Sequence, residues 1–129
     1  MGGKVLFDTN IIIALFGQDD TVLKHLRGAV ELFVPVIAVG ELYYGAYKSG
    51  RRTANLQRVR EFAAANIVLG CDAQTALVYG RVKNELHQKG TPIPENDLWI
   101  AALALQHGLV LATRDKHCDA VDGLCIEAW

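Results

Sequence analysis

The chain has 129 residues, a net charge of −1, a pI near 6.4 and 51% hydrophobic residues. That suffices for one compact domain with a real core, while the near-neutral balance excludes a global pull toward a polyanion and leaves any nucleic-acid contact to a local patch. Cys71, Cys118 and Cys125 are odd in number and form no C-x-x-C pair, which argues for a reducing compartment and against a disulfide framework or a structural zinc site. No basic-then-apolar leader and no apolar run of about 18 residues occurs, so the chain reads as soluble and cytoplasmic, with no membrane partner.

Gly2-Gly3 reads as a flexible start, and Lys4–Phe7 as a short strand ending on Asp8-Thr9-Asn10, any of which can cap the apolar helix Ile11–Phe16 that Gly17 stops. Asp20-Thr21 start a short helix with Val22, Leu23 and Leu26 inward and Gly28 as its stop. Leu32–Val36 is the second strand, and Pro35 confines it to a strand end or an edge. Ile37–Tyr47 is a helix with Leu42, Tyr43 and Ala46 on one side. It holds Gly40 and Gly45 around Glu41, each glycine costing about 1 kcal/mol against Ala, an odd arrangement unless something approaches the backbone there. Lys48–Arg60 contains Lys48, Arg51, Arg52, Arg58 and Arg60 without an acid. Thr53–Ala65 reads as a helix burying Leu56, Val59, Phe62 and Ala63. Asn66–Leu69 is a third strand. Asp72 caps a helix to Lys89 with Val78, Val82 and Leu86 at helical spacing, ended by Gly90.

The organising stretch is Pro94–Asp115. Apart from the Trp99 indole nitrogen, Leu98–Leu105 carries nothing polar, too uniform for a surface helix and too short for a span. Asp97 or Asn96 is the expected N-cap and Gly108 the residue past the end. Leu109–Ala112 has the look of a buried parallel strand. A helix over Asp97–Gln106 covers about 15 Å, and a strand over Leu109–Thr113 returns about 16 Å. Asp97 and Asp115 therefore end on one edge. Asp115–Val121 is a turn or short helix, and Leu124–Ile126 a last strand.

Strands alternating with helices predict an α/β domain with a mainly parallel sheet of four to five short strands, covered by helices on both faces. Ligands of such sheets bind beyond the carboxyl ends of the strands, and Asp8, Glu41, Asp97 and Asp115 all reach that edge. Singly, each has an ordinary reading as a cap, a solvated helix residue or a turn former. Jointly they do not. Two carboxylates 4 Å apart repel by about 4 kcal/mol at an effective dielectric of 20, so four beside apolar segments call for protons or a cation. His25, His87, His107 and His117 show no metal-ligand spacing with one another. An all-oxygen cluster therefore suits Mg²⁺ or Mn²⁺ rather than zinc. Such ions are suited to phosphodiester hydrolysis, with Thr9 and Thr113 available to orient ligands or water.

The segments LFDTNIII, VGELYYGA, IPENDLWIAALALQHGLVLATRD and KHCDAVDGL resemble a PIN-domain ribonuclease, and most of all the VapC-type toxins of bacterial toxin–antitoxin pairs. The resemblance runs in order over nearly all of residues 1–129. It implies that Asp8, Glu41, Asp97 and Asp115 form the acidic quartet that binds Mg²⁺ or Mn²⁺, with Thr113 in support. It further implies cleavage of structured RNA (tRNA or rRNA), a homodimer, and inhibition by a small cognate antitoxin. One departure stands out: Cys118 occupies a position where the family usually has an aromatic that anchors the last loop, which bears on the rigidity around Asp115.

RNA contact is expected from Lys48, Arg51, Arg52, Arg58 and Arg60, joined by Arg114 and Lys116; the alternative for each is a solvated face. Tyr43, Tyr44 and Tyr47 suit base stacking, the alternative at helical spacing being the core or an interface; an exposed apolar strip there would suit a dimer or an antitoxin helix. Two rival functions remain at this point. A receiver domain or small phosphatase would need a lysine partner after a late strand, and Lys116 lies on the wrong side of Asp115. A non-cutting PIN module that binds RNA or protein is disfavoured by the presence of all four acids and kept open by Cys118.

Overall fold

The computed structural model describes residues 3–28 and 31–129; the expectation for Gly2 lies outside the described residues. Five strands form one sheet in the order β3-β2-β1-β4-β5, and every neighbouring pair is parallel. The strands are β1 (Lys4–Phe7), β2 (Glu31–Pro35), β3 (Ile67–Leu69), β4 (Val110–Thr113) and β5 (Ile126–Ala128). The helices are α1 (Thr9–Phe16), α2 (Asp20–Leu26), α3 (Val36–Lys48), α4 (Arg52–Ala65), α5 (Ala73–Lys89) and α6 (Glu95–His107), followed by a 3₁₀ turn at His117–Ala120.

Strand residues alternate between two cores, as the period of two demands. Val5, Phe7 and Ala112 face one core with residues of α1, α3 and α4. Leu6 and Leu111 face the other with residues of α5 and α6. The apolar middle of α6 is accounted for by its burial: Leu98 and all of Ile100–Ala104 are buried. β1 lies at the centre, and its register against β4 sets Phe7 beside Ala112. The next residues on the two strands, Asp8 and Thr113, therefore emerge side by side at the carboxyl edge.

Two expectations shift. α6 begins at Glu95 with Pro94 in the cap position, so neither Asn96 nor Asp97 caps it. Pro94 holds the extended conformation from which a helix can start (φ −56°, ψ 148°), leaving Asp97 in the first turn with a carboxylate that caps nothing. β5 starts two residues later than expected because Gly123, at φ +80°, turns the chain through Leu124. Its residues are half-buried or exposed, so no apolar alternation marks this edge strand. Pro35 stands where one of its two alternatives put it, at the end of β2, which is an interior strand.

Candidate active site

Asp8 leaves β1 and caps α1. Its Oδ1 accepts the Thr9 N–H at 2.8 Å, and its Oδ2 accepts the Thr113 hydroxyl at 2.7 Å and the Asn10 amide at 3.3 Å. Only 6% of Asp8 and 2% of Thr113 is exposed. Burial pushes the Asp8 carboxyl above its ordinary value. The Thr113 and Thr9 hydrogen bonds oppose this, and the charges of Asp97 and Asp115 add to it. Thr9 reaches the other way and donates its hydroxyl to Glu41 Oε1 at 2.7 Å. One strand-to-helix junction thus ties β4 and α3 to Asp8.

Asp97 is raised as well, first by burial, then by the charges of Asp115 and Glu41, against the hydrogen bond of His117. The Asp115 N–H donates to Thr113 Oγ1 at 3.0 Å, which places that acid one step along the same edge. Asp8, Glu41, Asp97 and Asp115 are therefore brought together, as their positions in the chain predict.

Two further residues belong to the constellation. Asn10 bridges the Asp8 side chain to β4: its amide also reaches Thr113 Oγ1 at 3.3 Å, and its carbonyl oxygen accepts the Arg114 N–H at 3.2 Å. His117 sets its Nδ1 2.7 Å from Asp97 Oδ2 and 3.1 Å from Asp115 Oδ2. The hydrogen bond to Asp97 raises the proton affinity of this imidazole, helped by the fields of Asp115, Asp97 and Asp8. A search for histidines spaced from one another overlooks His117, because its partners are carboxylates; the signal was the two-residue step from Asp115.

The donor set suits a divalent cation. Buried carboxylates raised by desolvation and by one another are the groups whose charge such an ion compensates. Asp97, Asp115 and His117 each present a ligand atom within 4.8 Å of the others.

The basic residues diverge. Lys48, Arg51, Arg52, Arg58 and Arg60 are exposed around α4. Lys48 sits 4.4 Å from the Tyr44 ring centre, Arg58 5.3 Å from that of Phe16, and Arg52 Nε donates to Tyr47 O. Lys116 is exposed beside Asp115. Arg114 turns away from the acids: it donates to Trp129 O at 2.5 Å and pairs with Asp19 at 2.9 Å. Its guanidinium serves the fold there.

Gly40 and Gly45 open onto two hollows that share Glu41. Gly45 lines a cavity of about 330 Å³ with Ile13, Phe16, Leu42, Ala46 and Arg58. Gly40 lines a second, more open one with Val36, Tyr44 and Asn96. Tyr44 and Tyr47 are exposed, whereas Tyr43 packs against the core. Cys118 is buried in the core with Leu98 and Ala101, its Sγ 4.0 Å from Asp97 O. Burial pushes its thiol up to about 12, the behaviour of an inert packing group.

A PIN-domain family profile matches residues 5–124. The chain is a PIN domain of the VapC type. It is 33% identical over 129 residues to ribonuclease VapC2 of Haemophilus influenzae (strain Rd), with 98% of each chain covered. It is also 33% identical over 132 residues to the tRNA(fMet)-specific endonuclease VapC of Salmonella typhimurium, again with 98% of each covered. Among solved structures, this PIN domain superposes on a chain of the DNA-bound VapBC complex from Salmonella typhimurium with a TM-score of 0.89 and 31% identity, covering 100% of this chain and 99% of that one. VapBC2 of Rickettsia felis, bound to a fragment of its promoter, gives a TM-score of 0.89 at 26% identity, covering 98% and 99%. The four acids thus stand on a VapC-type PIN scaffold that is matched along its whole length.

Proposed function

We propose that the protein is a metal-dependent endoribonuclease, the toxin of a toxin–antitoxin pair, acting in the cytoplasm on structured RNA. The observation that carries this reading is the meeting of Asp8, Glu41, Asp97 and Asp115 at one sheet edge, with Asp8 and Asp97 both raised by burial. Asp8, Asp97 and Asp115, with Glu41 completing the quartet, are the residues to hold Mg²⁺ or Mn²⁺. The bound ion supplies polarisation of a phosphoryl oxygen, an activated water and relief of charge on the leaving alkoxide.

The chain's own groups prepare that chemistry. The Thr113 hydroxyl donates to Asp8 and accepts from the Asp115 N–H, so a single oxygen aligns two acids. The Thr9 hydroxyl fixes Glu41. Lys48, Arg51, Arg52 and Lys116 are exposed cations able to hold phosphates by salt-dependent contacts. Arg114 drops out of that set. The VapC relatives of Salmonella typhimurium and Shigella flexneri are tRNA(fMet)-specific endonucleases, which supports a tRNA substrate here, with rRNA the alternative target. The apolar cavity beside Gly45 fits the hydrophobic face of an antitoxin helix, in keeping with the VapBC complexes among the structural neighbours. The exposed Tyr44 and Val36 suit the contact of a homodimer.

The test is cleavage of tRNA by the purified protein with Mg²⁺ or Mn²⁺, with EDTA, and with Asp97→Asn. Cleavage that stops with EDTA and in the variant, at unchanged circular dichroism, is the expected result. Equal cleavage by both proteins would overturn the assignment.

A further inference from the structure

We infer that His117 is a direct nitrogen ligand of the cation at this site and biases it toward Mn²⁺ and the later divalent transition ions over Mg²⁺. The inference rests on the metal-dependent reading above and extends it to a residue outside the acidic quartet.

The argument begins with a turn. The His117 backbone N–H donates to Asp115 Oδ1 at 2.9 Å, so a two-residue step fixes the carboxylate and the imidazole together. Asp115 Oδ1 is thereby engaged and Oδ2 faces the ring. Asp97 Oδ2, from the first turn of α6, faces the same ring atom. Among the described residues, His117 Nδ1 is the only side-chain partner recorded for either of these two oxygens.

The spacing, that of hydrogen bonds, is also close to what a shared ion asks. Donor atoms about 2.1 Å from one cation and at right angles stand about 3.0 Å apart; Nδ1 lies 2.7 Å from Asp97 Oδ2 and 3.1 Å from Asp115 Oδ2. An ion held by these two oxygens meets Nδ1 at once and must either bind it or expel it. Binding displaces the proton that Nδ1 shares with Asp97, which passes to solvent, and leaves the turn in place, since the His117 N–H to Asp115 Oδ1 bond already holds ring and carboxylate together. Carboxylate and water donors suit Mg²⁺ and Mn²⁺ alike, whereas imidazole favours ions later in the divalent series. A mixed set of two carboxylates and one imidazole should separate Mn²⁺ from Mg²⁺.

Three proteins decide the matter: wild type, His117→Gln and Asp97→Asn, all stripped of metal and titrated with Mn²⁺, followed by competition with Mg²⁺. In wild type, spin-echo modulation of bound Mn²⁺ should carry a coordinated-nitrogen coupling, and labelling the histidines with ¹⁵N should change it. His117→Gln should lose that coupling and bind Mn²⁺ about tenfold or more weakly, with Mg²⁺ affinity changed by less than twofold. The His117 side chain is half exposed, so the substitution should leave the fold intact, and the ¹⁵N readout needs no variant. Absence of nitrogen coupling in wild type, or equal or tighter Mn²⁺ binding by His117→Gln, overturns the inference while Asp97→Asn still loses the ion. If Asp97→Asn binds Mn²⁺ as well as wild type, the metal reading itself has failed.

Discussion

Among the aspartates that cap helices, Asp8 and Asp72 are each hydrogen-bonded to a threonine, and the two have opposite fates. Asp72 heads α5 at the surface. Its Oδ1 accepts the Thr75 N–H at 3.0 Å and the Gln106 amide at 2.9 Å, while the Asp72 N–H donates back to Thr75 Oγ1. The Thr75 N–H and then the Gln106 amide hold its carboxyl below the ordinary value. Asp8 heads α1 with an equally full set of donors, yet its carboxyl is raised. Local hydrogen bonding does not separate the two. Burial and company do: Asp8 is enclosed at the sheet edge and feels Asp97 and Asp115, whereas Asp72 has water and no acidic neighbour among the causes of its shift. The same cap chemistry stabilises one helix and, in the other, holds a charge ready for a cation.

The comparison is broken most severely at Asp8. Asp8→Asn keeps the cap and its shape but removes the charge, so cleavage with Mg²⁺ should fall on the order of a thousandfold while circular dichroism is retained. A variant that still cleaves within tenfold of wild type would mean that Asp8, like Asp72, is only a cap. A second break uses the scaffold. α6 carries Asp97 on its first turn and is buried along its middle, at Leu98 and Ile100–Ala104. One alanine inserted between Ala101 and Ala102 rotates one half of the helix by about 100° against the other. Activity should drop more than tenfold, whereas the same insertion after Gly50, in the exposed turn between α3 and α4, should leave it within about twofold. Equal losses would show that α6 does not set the position of Asp97.

The parallel sheet and the meeting of the four acids were legible because both depend on positions along the chain. Asp8 follows a strand, Asp97 opens a helix, Asp115 follows the returning strand, and helix and strand lengths do the rest. Side-chain direction is not written that way. His117 and Asn10 each stand two residues from an acid of the site, but their bonds to Asp97 and Thr113 cross 20 and 103 residues of sequence, which no spacing rule foretells. Arg114 follows Thr113 directly, and sequence reasoning sends it to RNA; in the fold it belongs to Asp19 and Trp129. The start of α6 was missed because Asp97 makes a plausible cap, and only tertiary contact with His117 gives its carboxylate another task. The odd pair of glycines in α3 lines two hollows beside Glu41, and a Cβ at either would meet open space, so packing within the chain does not require them.

From the other side, the comparison can be sharpened at Asp72. Asp72→Ala deletes an exposed cap far from the acids in the chain. It should lower the melting temperature by about 3–5 °C, the usual consequence of losing a cap in a domain of this size, and leave the cleavage rate unchanged. A matching fall in activity would place Asp72 in the working edge after all.

The smallest expected effect is the most discriminating, because it reads the sign of each aspartate. In the unfolded chain Asp8, Asp72 and Asp97 start from the ordinary value of 3.8. Asp8 and Asp97 are raised on folding. Between 3.8 and their folded values the native protein keeps protons that the unfolded chain has lost, so stability falls as pH rises through that window and stays lower above it. Asp72 is lowered, so its contribution is present above 3.8 and is lost as pH falls through its folded value. With EDTA present, Asp97→Asn should remove part of the falling limb and melt slightly above wild type at pH 7, with the two curves converging below pH 3.8, where the wild-type acid is protonated in both states. Saturating Mn²⁺ should reverse the order, because only the wild type binds the ion tightly enough to be stabilised by mass action. Parallel curves for the two proteins across that range would mean that the acids at this edge do not strain the fold, and that Asp8 and Asp72 differ less than their surroundings imply.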